Sequence, residues 1–375
     1  MKDKKTGIIG AGPAGAWLAF RLAAAGFKVV LFDHRAPWEK PCGGGMSNVI
    51  FEKFKELEPL KEQAFPNHSA RIINADGFQF VSPLSRPFLT ISRQVLGKFL
   101  MEKAIAAGAE FRSVKICGIE KIPRGFRLLD EKGPAEEFDF LAGADGAGSR
   151  TRSFFCPRWS RPDYFFAFSF HLPRPVNLPI TLKFFKGMTG YAWIFPSRQS
   201  TSLGIGSKGM QFSLAQMFSM LETMIEAEPE LREIKPRLKQ ESTRALIPAL
   251  RFSALRRQRI AGPDWALVGD ASGAANSVSG GGIPYAFWSA DLLADALVSG
   301  RIEQYQSAWW RMCKDNLVGP SIWGPVFYHN ATQKVLSRYL RRSASAQKLT
   351  VGLLSEEKLG RKGILAGLAN MVAGR

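Results

Sequence analysis

Six residues near the start of the chain, Gly10-Ala11-Gly12-Pro13-Ala14-Gly15, restrict its fold more than any other feature. They lie between two apolar strand patterns, residues 6–9 and 28–33, and they open a helical pattern over 13–25. Pro13 falls in the first helical turn, where a missing N–H loses no hydrogen bond. The pattern therefore predicts a βαβ unit. In such a unit Gly10 makes the tight turn from strand to helix, Gly12 lets backbone approach a pyrophosphate, and Gly15 lets the helix pack on the strand. Pro13 and Ala14 begin the helix, whose N-terminal N–H groups and dipole favour an anion. Asp33, eighteen residues after Gly15, is placed to accept hydrogen bonds from ribose hydroxyls. GxGxxG alone is weak evidence. With both strands, the helix and the carboxylate in order, it marks a dinucleotide site.

Two later segments fit the same domain. Residues 266–271, Ala-Leu-Val-Gly-Asp-Ala, read as a buried strand that delivers Gly269 and Asp270 to its carboxyl end, the edge where α/β folds bind ligands. An ordinary strand-end turn would look similar. Ser279-Gly280-Gly281-Gly282-Ile283 stands directly before a helical pattern over 283–297, so its backbone N–H groups form a candidate anion site. Asp145-Gly146, after the strand pattern 138–141, is a weaker companion.

Between these motifs lie a helix over 93–107 and strands over 109–120 and 126–129, then a run of strands with turn signals over 164–206. Beyond Gly300 the pattern is mostly helical. The fold expected is α/β: a Rossmann-type nucleotide domain split along the chain (1–60, 92–158 and 260–300), an antiparallel-sheet substrate domain (61–91 and 159–259), and a helical C-terminal region (301–375). No internal repeat or low-complexity tract interrupts it.

Composition removes several function classes. Cys42, Cys117, Cys156 and Cys313 form no CxxC pair, and the four histidines show no metal-binding spacing, so neither a disulfide framework nor a metal centre is expected. No stretch of eighteen or more uncharged apolar residues occurs, and no secretory leader pattern is present, so a cytoplasmic location is expected. The net charge is +19. Such a field attracts polyanions, but no nucleic-acid-binding motif accompanies the clusters at Arg256-Arg257-Gln258-Arg259 and Arg338-Tyr339-Leu340-Arg341-Arg342. The remaining readings are a solvated basic surface and contact with an anionic membrane face.

As a set, these motifs resemble the geranylgeranyl reductase family, within the para-hydroxybenzoate-hydroxylase-type flavoproteins. The likeness is carried by GxGxxG at Gly10 to Gly15, Lys40-Pro41-Cys42-Gly43-Gly44-Gly45, Arg93 opening its helix, and Gly143-Ala144-Asp145-Gly146. It continues through Tyr191-Ala192-Trp193-Ile194-Phe195-Pro196, Ile247-Pro248, Gly269-Asp270-Ala271 and Gly280-Gly281-Gly282-Ile283, and runs from about residue 5 to 300. The resemblance implies FAD, with its ADP half on Gly10, Gly12, Gly15 and Asp33. It implies that Arg93 contacts the phosphates or ribityl chain, Asp270 the ribityl or pyrophosphate, and Gly281, Gly282 and Ile283 the isoalloxazine. Cys42, with Gly43 and Gly44, would lie near flavin and substrate, and Tyr191, Trp193 and Phe195 would wall the substrate. Read from the residues alone, Tyr191, Trp193 and Phe195 share one face of a strand, which is equally the mark of a core face, and a lone Cys42 is equally a packing residue.

The activity implied is reduction of carbon–carbon double bonds in a polyprenyl lipid, with Cys42, Tyr191 or water as proton donor. An aromatic monooxygenase, a flavin halogenase and a non-catalytic flavoprotein are the alternatives. NAD(P)H, a ferredoxin or a quinol could supply electrons, since no second complete GxGxxG unit is present. Leu353, Leu354, Leu359, Ile364, Leu365, Leu368 and Met371, interspersed with Lys358, Arg361, Lys362 and Arg375, form a basic amphipathic pattern suited to an anionic bilayer surface.

Overall fold

The computed structural model describes residues 4–354. Its strands are, in chain order, β1 (Lys5–Ile9), β2 (Lys28–Phe32), β3 (Gly45–Met46), β4 (Phe65–Ile73), β5 (Gln79–Thr90), β6 (Glu110–Arg112), β7 (Gly118–Ile122) and β8 (Gly125–Asp130). Then come β9 (Gly133–Phe138), β10 (Phe140–Gly143), β11 (Tyr164–Leu172), β12 (Ile180–Lys183), β13 (Gly190–Pro196), β14 (Thr201–Lys208), β15 (Thr243–Pro248) and β16 (Trp265–Leu267). They form three sheets, ordered β16-β10-β1-β2-β6, β15-β11-β14-β13-β12-β4-β5-β3, and β7-β8-β9.

The five-stranded sheet is parallel throughout. Its central strands are buried, as their unbroken apolar runs require. Helix Pro13–Ala24 buries Ala14, Ala16, Trp17 and Leu18 in the same unit. This is the expected Rossmann-type arrangement, assembled from distant segments of the chain.

The eight-stranded sheet departs from the expected antiparallel pattern, because β12 pairs with β4 in parallel, Ile180 opposite Ala70. The two strands come from segments more than a hundred residues apart, so no hairpin forces them to run in opposite directions. One face carries Phe168, Phe170, Ile194, Leu203 and Ile205, and these pack with Leu221 and Ile225 of helix Leu214–Glu226. Two expected strands are also divided. Residues 109–120 yield β6 and β7, and 138–141 is split between β9 and β10. At the second break Asp139 pairs with Lys5 through backbone, and its carboxylate accepts from the Lys5 N–H at 2.8 Å.

The chain divides into two compact units: the residues up to Lys40 with Arg93–Tyr164 and Leu246–Ile322, and Pro41–Ser92 with Phe165–Ala245 and the residues from Trp323. The expected boundaries shift accordingly. Residues 41–60 join the second unit, because β3 hydrogen-bonds to β5, Gly45 opposite Thr90. The helical region from 301 is shared. Within the first unit, the Tyr305 hydroxyl donates to Leu267 O at 2.8 Å and Trp309 Nε1 to Ser272 Oγ at 3.1 Å. Within the second, the Gly187 N–H donates to Asn330 Oδ1 at 2.8 Å.

Candidate active site

In the first unit, Gly10 adopts φ +101°, and a Cβ there would stand 2.5 Å from Ala144 O. A Cβ on Gly15 would lie 1.8 Å from Gly10 O. These two glycines are therefore required by the protein's own packing. Gly12 is different: a Cβ added there meets no protein atom within 4 Å. It is the N-cap of helix Pro13–Ala24, no side chain caps that end, and the first turn holds no acid. A bare, cation-like helix end beneath open space is what a pyrophosphate needs. Asp33 Oδ2 accepts from the Ala11 N–H at 2.9 Å, which ties the strand-end carboxylate to the glycine turn.

Of the other residues expected to hold the nucleotide, Arg93, Asp145, Gly269, Asp270, Gly281, Gly282 and Ile283 lie in the same unit, whereas Cys42, Gly43 and Gly44 lie in the second. Gly269 N–H donates to buried Ser289 Oγ at 2.8 Å, which holds the turn that carries Asp270. Asp270 Oδ2 is 3.3 Å from Lys40 Nζ, and a Cβ on Gly282 would stand 3.0 Å from Asp270 Oδ1. Gly282 therefore lies directly against this carboxylate. Gly282 caps helix Ile283–Val298 without a side-chain bond, so the N–H groups of its first turn have no helical partner. Arg93 is buried, and its Nε has no partner among the described residues. Its helix is capped by Glu39, which accepts from the Arg93 N–H at 2.9 Å. An uncapped helix end, an open Gly12 and an orphaned buried guanidinium nitrogen all fit an anionic dinucleotide.

Asp145 is used differently. Its carboxylate accepts from Ser149 Oγ, the Arg150 N–H at 2.8 Å, and the Thr151 N–H and Oγ1 at 3.0 and 3.1 Å. Burial pushes its acid up, against hydrogen bonds from Ser149 and Thr151 that pull it down. The carboxylate organises the start of helix Arg150–Phe155.

In the second unit, the glycines after Cys42 face aromatic rings. A Cβ on Gly43 would meet Phe195 Cδ2 at 2.5 Å, and one on Gly45 would meet Phe88 Cε1 at 2.4 Å. Gly44 has φ +67°, and a Cβ there would stand 2.2 Å from Ile91 O. The bare backbone is thus matched to Phe88 and Phe195, whose rings meet edge to face. Cys42 is half-buried, and its Sγ accepts from the Gly44 N–H at 3.3 Å.

On β13, Ala192 and Ile194 enter the core, while Tyr191, Trp193 and Phe195 take the opposite face. Trp193 stands opposite Gly204, where a Cβ would be 2.2 Å from its Cζ2, and its Nε1 donates to Ser202 Oγ at 3.1 Å. It is only 8% exposed. Tyr191 and Phe195 are half-buried. Four residues that the sequence patterns did not single out complete this face: Phe88, Phe184, Phe327 and Tyr328. Phe184 lies 6.1 Å from the Tyr191 ring and 5.8 Å from that of Phe327. Burial, and next to it Tyr191, pushes the Tyr328 hydroxyl well above the ordinary tyrosine value. Lys40, also not singled out, was visible as the first residue of the KPCGGG segment.

Comparison with known proteins gives the same picture. Residues 8–52 match the family model of an NAD(P)-binding Rossmann-like domain. A geranylgeranyl diphosphate reductase of Rhodobacter capsulatus is 28% identical over 78% of this chain and 74% of its own. A digeranylgeranylglycerophospholipid reductase of Methanothermobacter thermautotrophicus is 27% identical over 83% and 84%. A solved geranylgeranyl bacteriochlorophyll reductase-like protein of Thermoplasma acidophilum superposes with a TM-score of 0.74 at 19% identity, covering 99% of this chain and 97% of its own. The chain is an enzyme that uses FAD, and it is similar to relatives named as geranylgeranyl reductases.

Proposed function

We propose that the enzyme reduces carbon–carbon double bonds of a polyprenyl lipid. The observation that carries this reading is the ring-bearing face of β13. Tyr191, Trp193 and Phe195 stand opposite Gly206, Gly204 and Ser202 on one side, and Trp193 opposite Leu182 on the other. No charged side chain occurs among these residues. Such a face suits a hydrocarbon chain, and aromatic rings stabilise cationic character that develops on an alkene carbon. The names of the relatives from Rhodobacter and Methanothermobacter support the same substrate class.

In this reading Gly10, Gly12, Gly15 and Asp33 hold the ADP half of FAD. Arg93 and Asp270 hold its phosphate and ribityl parts, and Gly281, Gly282 and Ile283 hold its ring end. Bound and reduced, FAD supplies the hydride. Tyr191 and Phe195 orient the prenyl chain, Trp193 stiffens the sheet beneath them, and Cys42, Tyr191 or a water delivers the proton. Asp145 serves the fold of the cofactor turn.

The test is anaerobic incubation of the reduced protein with geranylgeranyl lipids, followed by mass analysis. Each reduced double bond should add two hydrogen atoms. Oxygen uptake with hydroxylated product, and no saturation without oxygen, would replace this reading by a monooxygenase.

A further inference from the structure

The C-terminal helices of the second unit carry cations and no acidic residue of their own. From Trp323 to Leu354 the chain contains no Asp or Glu but five basic residues, Lys334, Arg338, Arg341, Arg342 and Lys348. Arg341 is drawn back to Asp76 at 3.1 Å. Lys334, Arg338 and Arg342 follow one another at helical spacing and are exposed. Large apolar side chains stand in solvent on the same two helices, Val318–Phe327 and Asn330–Leu340: Trp323 is 42% exposed, Val326 60% and Val335 57%. Exposed tryptophan and valine beside cations, with Asp76 already paired to Arg341, suit neither plain solvation nor a polar protein partner. They match a bilayer interface, where indole sits at headgroup depth and cations meet anionic lipid.

The same apolar edge is continuous with the proposed substrate wall. The Trp323 ring lies 5.8 Å from Phe327, Phe327 5.8 Å from Phe184, Phe184 6.1 Å from Tyr191, and Tyr191 6.2 Å from Trp193. Each separation is an ordinary aromatic contact. An unbroken row of rings thus runs from exposed Trp323 to buried Trp193, within one unit.

We propose that the surface formed by Trp323, Val326, Lys334, Val335, Arg338 and Arg342 docks on an anionic lipid bilayer, and that the aromatic row behind it receives the lipid's hydrocarbon chain. The second clause rests on the reductase reading; the first does not. Among the described residues no helix is long and apolar enough to cross a membrane, so the contact is peripheral.

The test uses the full-length FAD-loaded chain and sedimentation with two kinds of vesicle, phosphatidylcholine alone and phosphatidylcholine with phosphatidylglycerol. Neither contains a prenyl chain. Binding should require phosphatidylglycerol and weaken with salt. Trp323→Ser with Val326→Ser should lower partitioning about tenfold at unchanged net charge. Lys334→Glu with Arg338→Glu should abolish binding. Arg256→Glu with Arg257→Glu, the same change in charge on the first unit, should stay within about twofold of the parent. Circular dichroism and flavin content report folding of each variant. The proposal is overturned if the serine pair binds as the parent does, or if the Arg256 and Arg257 pair loses as much as the Lys334 and Arg338 pair. Because the vesicles lack substrate, either outcome is independent of whether prenyl reduction is observed in detergent.

Discussion

Gly12 is the glycine of the nucleotide turn with open space above it, and that separates its role from those of its neighbours. Gly12→Val should yield a folded protein, because a Cβ there meets no protein atom within 4 Å, and that protein should be colourless. Flavin absorbance after purification and reconstitution is the measurement, and normal FAD content would refute the site. Gly15→Ala should instead fail to fold, since its Cβ would overlap Gly10 O. Asp270→Ala frees Lys40 and should lower FAD affinity while the melting temperature of the apoprotein changes little. Tyr191→Phe keeps the ring and removes the hydroxyl. If that hydroxyl delivers the proton, the reduction rate should fall by about a hundredfold or more at unchanged flavin content; an unchanged rate would leave Cys42 or water. At this scale the glycine turn between β1 and its helix was legible in the sequence, because glycine spacing at a strand–helix turn has few other uses. Asp145 was not, since GADG does not reveal that its carboxylate is occupied by the Ser149 and Thr151 hydroxyls and two N–H groups of the next helix. The glycines after Cys42 were readable as a place where something comes close to backbone. That the close groups are Phe88 and Phe195 depends on strands far away in sequence.

Strand β13 shows what an element adds. Its period of two foretold that Tyr191, Trp193 and Phe195 would share a face, and they do. The alternation could not say that Trp193 covers Gly204 on the next strand. A tryptophan lying on a cross-strand glycine is a packing unit, so Trp193→Ala should destabilise the fold by about 3–5 kcal/mol, measured by urea unfolding. Tyr191→Phe should cost less than about 1.5 kcal/mol. Equal and small losses for both would mean that Trp193 is not part of the sheet's core. The mixed character of the large sheet was likewise hidden, because strand direction across long connections follows from which edges remain to be paired, and local pattern carries no record of that. The C-terminal amphipathic pattern lies outside the described residues from 355 onward. Only its first two residues, Leu353 and Leu354, fall in helix Ala344–Leu354.

For the molecule as a whole, acid should be the sensitive side. Asp163 is 2% exposed; burial pushes its acid up, but hydrogen bonds from Arg251 and Ser160 more than offset this and hold it below the ordinary carboxylate value. A carboxylate whose folded value is depressed contributes stability that is present above its unfolded value, near pH 4, and is lost as pH falls through the folded value. Asp163→Asn should therefore lower the urea midpoint at pH 7, and the gap from the parent should narrow below about pH 4. A gap that stays constant from pH 7 to pH 3 would show that the charge on Asp163 contributes nothing.

Strand β1 is made before every other strand of its sheet, yet it lies in the middle, and the neighbour on one flank is completed late. One flank, β2, follows at once; the other, β10, comes after the whole of β3 to β9, and β16 closes the sheet near residue 267. At ribosomal speeds of about 5–20 residues per second, the bare edge of β1 waits roughly 7–30 s for β10, and the sheet roughly 10–50 s for its last strand. During that time an apolar strand with unpaired backbone is open to other chains. Yield of soluble protein should therefore depend on translation rate and chaperone supply more steeply than the stability of the finished fold would suggest.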